Sequence, residues 1–386
     1  MIADVAADGL TVQYARAEPE MQRGYTQSTA YLWRSVGQVC ACALVGIGMN
    51  GKEYLGSLDH CLSFSQVCLI FAAIAGCMVP ISLACVDERP QVERPTFAEY
   101  CRATWQLMRS QAFFCLVLWQ LLNPAVQYVH STAYPLVQRY WAGVEALPNQ
   151  GSSVIAYVLF SLALWVVREH LLQLSWRLMI SLTTVGLFTL DAPFALLTTF
   201  DVVRNQYFYL TEKLVTYLPG AVFLVVSCFV MVEMATDGNE GLVYGLLSTV
   251  SNCGQALATA ISNQLFGAFH PALSHSANYN PQRGGDQRCF RRVVAHSFLV
   301  GYGCALASLL MLPLMPRQKA DARRRMATWP QRTSYALATV VLVGAALAYS
   351  VSISLMALTP LACLRMIGGQ GCDTPKQANS TLAQPC

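Results

Sequence analysis

Residues 178–198 read LMISLTTVGLFTLDAPFALLT. One charge in a stretch of that length is the signature of a bilayer-spanning helix, which needs about 20 mostly apolar residues. Eight more stretches carry no charge at all: 35–51, 64–85, 111–130, 151–167, 214–232, 241–269, 293–316 and 333–364. Asp191 is the single charged residue in all nine. The 386-residue chain is 55% hydrophobic and 12% charged, against roughly 25% charged in soluble domains. A soluble core does not segregate charge so cleanly over nine windows. A lipid-exposed backbone must satisfy its own hydrogen bonds, so each stretch reads as a helix. The fold class that follows is an all-α polytopic membrane protein with about eight or nine transmembrane helices. A net charge of +4 argues against nucleic acid as a partner; the partner the composition demands is the lipid bilayer.

Charge also divides the chain. Residues 86–110 hold two prolines and a run of acids and arginines, then turn amphipathic. They read as a cytoplasmic connector with a surface helix. Residues 1–85 precede it as the smaller part of a bundle, and 111–316 follow as a six-helix block. Residues 317–332 form a basic loop, and 333–386 add one more helix and a tail. Met1–Ala30 lacks a basic start and a continuous apolar core, so it does not read as a signal peptide. Arg317, Lys319, Arg323, Arg324, Arg325 and Arg332 crowd one connection. The positive-inside rule puts them, and with them the N-terminus, in the cytoplasm. The tail, with its sequon Asn379-Ser380-Thr381, then lies outside. Most of the 15 cysteines sit in apolar stretches, with no CxxC or His–Cys spacing, and read as small packing residues. Cys372 and Cys386 in the tail could pair.

Polar residues inside the bilayer are the candidate functional positions. A lone carboxylate at Asp191 costs roughly 2.5–3.5 kcal/mol to insert, so it should face a bundle interior or a watery cavity. Pro193 removes a backbone donor two residues on, and a break in the helix is expected there. Asp191 is either a proton or solute site, or a neutral hydrogen-bonded structural group. Asn123, Gln127 and His130 are spaced by four and three and share a helix face. That face lines a cavity or glues two helices. Asp201 and Arg204, three apart, could pair on one helix face beside the interfacial aromatics Tyr207, Phe208 and Tyr209. They form an anchoring turn, a gate or a binding pair. From Gly241 through Gly245, Ser248, Asn252, Gln255 and Thr259 to Ser262 runs a small-and-polar stripe that reads first as helix packing. Glu233, Asp237 and Glu240 precede it, as a solvated cap or as a latch for basic residues during gating.

No GxxxxGK[ST], HExxH or GxSxG occurs, so neither enzyme activity nor a cofactor or bound metal is expected. A resemblance supplies more. Asp4–Leu10 with Arg16, Asn50–Tyr54, Asp201–Tyr207 and Asn239–Leu247 together resemble landmarks of the folate–biopterin transporter family of the major facilitator superfamily. The likeness spans most of residues 1–316. It implies a two-bundle fold and secondary transport of a folate- or pterin-like solute, and proton coupling through Asp191 is expected to go with it. It also implies that Asp4–Leu10 belongs to the fourth family helix, 35–51 to the fifth and 293–316 to the twelfth. The first three helices have no counterpart in this chain, so the N-terminal half is incomplete. The alternative function is a non-transporting membrane protein that packs against a partner through the Gly241–Ser262 stripe.

Overall fold

The computed structural model describes residues 2–16, 18–19, 25–52, 59, 61–85, 96–171, 173–235, 240–283, 285–358 and 364. Asp237, the sequon, Cys372, Cys386 and all of residues 86–95 of the connector fall outside them, as does the side chain of Glu240. The described residues form helices and no strand. α1 is Ile2–Arg16, α2 Tyr25–Gly48, α3 Phe64–Cys85, α4 Phe97–Met108 and α5 Gln111–Gln127. A short α6, Tyr134–Leu136, runs into a wide π turn at Val137–Trp141. There follow α7 (Ala146–Val166), α8 (Trp176–Thr199), α9 (Gln206–Met234) and α10 (Glu240–Gly267). Then come α11 (Arg288–Ala307, tightened to a 3-10 helix as far as Leu314), α12 (Lys319–Thr328) and α13 (Thr333–Ala357).

Each of the nine stretches is helical over most of its described residues, and seven of these helices are long and apolar enough to cross a membrane: α2, α3, α7, α8, α9, α11 and α13. The chain is therefore a multi-pass, all-α membrane protein. The other two differ for local reasons. α5 ends after 17 residues, and α10 carries the polar stripe that lowers its hydropathy.

Three expectations change. α8 runs unbroken through Pro193; one missing N–H leaves one carbonyl free, a defect a bundle tolerates. Phe200–Asn205 is a turn and not a helix face. Asp201 takes φ +65°, a left-handed conformation that Asp tolerates, and Asn205 then starts α9 by accepting from Tyr207 N (2.8 Å). The basic segment is no plain loop but contains α12. Its Asp321 accepts from Arg317 N (2.9 Å) and pairs with Arg325 at 3.0 Å, so an acid at the first turn meets the positive helix end. The helix within the 86–110 connector is α4, begun by a capping box between Thr96 and Glu99.

The bundle is assembled by close crossings. α2 lies along α7, α8 along α9, and α10 along both α5 and α1. A Cβ on Gly254 would sit 2.6 Å from Leu121 O and 3.2 Å from Pro124 Cβ, and one on Gly9 3.2 Å from Gly241 Cα. The small residues thus let α10 touch α5 and α1 within one molecule. α13 rests on α10, α4 and α5. Only Val67 of α3 is buried, which leaves that apolar helix to lipid. Two apolar cores form. One, towards α12, holds Phe113, Trp119, Phe229 and Leu247. The other, at the far end, holds Trp141, Tyr279, Phe290 and Phe298. Along α5, α9 and α10 many of the residues between these cores are polar or aromatic, and they face a common space.

Candidate functional site

That space is a cavity of about 1110 Å³. α9 presents Glu212, Thr216, Gly220 and Leu224 to it, one residue per turn. α8 presents Thr184, Leu187, Phe188 and Asp191, and α10 presents Tyr244, Ser248 and Asn252. The remaining wall comes from α1, α2, α5, α6, α7 and α11.

Asp191 and Glu212 stand together towards the far end. Asp191 is eight residues from the end of α8, about 12 Å at ~1.5 Å per residue. Glu212 is six residues inside the start of α9, about 9 Å. Their carboxyls interact directly. Tyr302 OH donates to Asp191 Oδ2 (2.6 Å) and Tyr134 OH to Glu212 Oε2 (2.6 Å). Asp191 Oδ1 is buried with no donor among the described residues. At the other end of the cavity Arg34 pairs with Asp8 at 3.7 Å. The Tyr31 hydroxyl meets that of Tyr244 and Cys228 Sγ beside them.

The sequence candidates divide. Gln127 and His130 line the cavity, with Gln127 Oε1 buried and unpartnered among the described residues. His130 N donates to Ser262 Oγ (3.0 Å), which locks the chain after α5 onto α10. Asn123 is not on the wall. It is buried between helices, where its Nδ2 donates to Ser308 O (3.4 Å). The α10 stripe has two uses, since Ser248 and Asn252 face the cavity while Gly241 and Gly254 make helix contacts. Gln255 and Thr259 are exposed. Glu233 pairs with Arg323 of α12 at 3.4 Å.

Asp201 and Arg204 also lie off the cavity, in an ion network at the far end. Arg204 Nε is 3.1 Å from Asp201, and its two terminal nitrogens grip Asp286 at 2.6 and 2.9 Å. Arg291 joins both acids, at 2.9 Å to Asp286 and 3.1 Å to Asp201. Arg204 stacks over Trp141 at 4.8 Å. Burial opposes the Asp286 carboxylate, yet the bonds and charges of Arg204 and Arg291 outweigh it and hold that carboxyl below the usual range.

Sequence reasoning misses Glu212, because Glu212-Lys213 reads as the charged edge of the next span. The signal was Asn205, a helix N-cap that starts α9 well before Glu212. Tyr134, Tyr302 and Asp286 carry no such local mark. No family model matches the chain, and neither a curated protein nor a solved structure matches it.

Proposed function

We propose that the chain is a secondary transporter that carries a small polar solute through the central cavity, folate- or pterin-like as the resemblance implies, with protons as the coupling ion. The observation that supports it is the cavity itself. Its volume of about 1110 Å³ is slightly above the roughly 300–1,000 Å³ of small-molecule sites. It is built from eight helices and the α6 turn, and a pair of acidic residues sits at bilayer depth. Intramembrane carboxylates at such positions mark solute or proton pathways. The Gly241–Ser262 stripe is used largely inside the molecule, which leaves less for docking a partner protein. Uptake of labelled folate and biopterin into transport-deficient cells tests the reading. Saturable, pH-dependent accumulation supports it, and a rate equal to that of empty cells refutes it.

The same reading places the N-terminus and α12 in the cytoplasm. The basis is the basic density of 317–332. α13 is 25 residues long and then crosses to the outside. An epitope tag at the C-terminus should be labelled on intact cells. Labelling that needs permeabilised cells would reverse the assignment.

A further inference from the structure

We propose that the cavity takes a planar solute bearing N–H donors and a positive charge, and that this solute and a proton occupy the Asp191–Glu212 pair in turn. The proposal rests on the cavity being a solute route but names its own ligand chemistry.

The charges on the cavity wall do not balance. Arg34 is the only Lys or Arg among the described lining residues, and Asp8 already faces it at 3.7 Å. Among the described residues, Asp191 and Glu212 receive hydroxyls only, from Tyr302, Tyr134 and Thr216. Lys213, next in sequence, turns to α7 and donates to Ser153 Oγ (2.6 Å) and Asn149 Oδ1 (3.4 Å). The other titratable groups around the pair are Tyr209 and Tyr217 of α9, and His130 is on the same wall. The Lys213 ammonium acts on Glu212 through space alone, and no cationic side chain among the described residues bonds either acid. Two carboxylates in contact in a low-dielectric cleft cannot both stay ionised without a cation. A proton meets that need in the empty cavity, and a cationic solute meets it in the filled one.

A second observation points to the same ligand. Gln127 is 5% exposed and Thr184 1%. Both line the cavity, and Gln127 Oε1 and Thr184 Oγ1 have no hydrogen-bond partner among the described residues. With Asp191 Oδ1, two of these three orphaned atoms are pure acceptors, so the missing ligand is a donor. Aromatic rings flank the acids: Phe188 lies 5.3 Å from Tyr302, and Tyr134 6.1 Å from Phe298. Rings favour a planar cation over an anion. A dicarboxylate such as a folate would bring like charge to the pair, so the preferred pterin-like solute is one without carboxylates. When the cation binds, the shared proton leaves, and the cycle is an exchange of solute against a proton.

Benzamidinium, benzamide and benzoate share one planar frame and carry charges of +1, 0 and −1. Calorimetry on the full chain in lipid nanodiscs, in two buffers of different ionisation heat, compares them. Benzamidinium should bind with release of one proton. Its Kd should fall up to about tenfold per pH unit while the pair is protonated. Benzamide should bind at least about tenfold more weakly, and benzoate not at all. Glu212→Gln should remove the proton release. Binding of benzoate as tight as benzamidinium, binding without proton release, or no binding of benzamidinium overturns the proposal. Liposome uptake separates it from the transport reading. Folate accumulated while benzamidinium is excluded leaves transport standing and this proposal refuted. Benzamidinium bound with proton release but never accumulated leaves the site standing and transport refuted.

Discussion

Asp191→Asn and Glu212→Gln should each lower solute transport by about ten- to a hundredfold and flatten its pH dependence, with the protein still inserted in the membrane. The reasoning is local. Asparagine keeps the size of Asp191 and an oxygen for Tyr302 OH to donate to at 2.6 Å. Glutamine does the same for Tyr134 at Glu212. Folding therefore loses little. What is lost is charge: a hydrogen bond to a charged group contributes about 1.5–3 kcal/mol, which is one to two powers of ten in affinity, and an amide does not titrate in this range. The double variant should be little worse than either single one, because the two groups act as one proton-binding unit. Thr259→Ala is the control, since Thr259 is exposed, does not line the cavity and bonds only Gln255 O among the described residues. If the pair is a neutral structural contact, both amides are silent. Normal, normally pH-dependent uptake by Asp191→Asn would end the proton-coupling reading.

The sequence made the helices legible because the bilayer imposes one rule on every span, and excluded charge is visible residue by residue. It made Asp191 legible for the same reason. The rule weakens at span ends. Glu212-Lys213 looked like headgroup-level charge, although α9 begins at Gln206 and carries Glu212 into the bundle. Helix periodicity placed Asn123, Gln127 and His130 on one face, yet α5 ends at Gln127, so His130 reaches the cavity from the turn beyond the helix while Asn123 does not reach it. Helical phase says which residues share a direction but not how deep the neighbouring helix sits. The α10 stripe mixed two signals, because small residues serve close packing at Gly254 and an open wall at Ser248. The turn at Asp201 was hidden because helix and turn use the same three-residue spacing to bring Asp and Arg together. Contacts between distant segments, such as Arg204 with Asp286 or Tyr302 with Asp191, leave no local trace.

The far-end network should show a second large effect, on stability and not on coupling. Asp286→Asn should destabilise the protein by about 2–3 kcal/mol at neutral pH. The Asp286 side chain is 6% exposed and neutralises Arg204 and Arg291 together. Removing its charge leaves two neighbouring guanidiniums with only Asp201, which is 46% exposed and so screened by solvent. Asparagine is the informative replacement. It tolerates the φ of +60° at this position, so backbone strain does not mimic the effect. The pH dependence has a definite sign. The folded carboxyl titrates below its unfolded value of about 3.9. Its contribution is therefore complete above that value and is lost as the pH falls through the lower folded one. Thermal inactivation midpoints in detergent should separate parent and variant at pH 7 and bring them together only as the pH drops below about 4. A gap that persists unchanged in acid would mean that the Asp286→Asn variant fails for steric reasons, and that the two arginines do not depend on this charge.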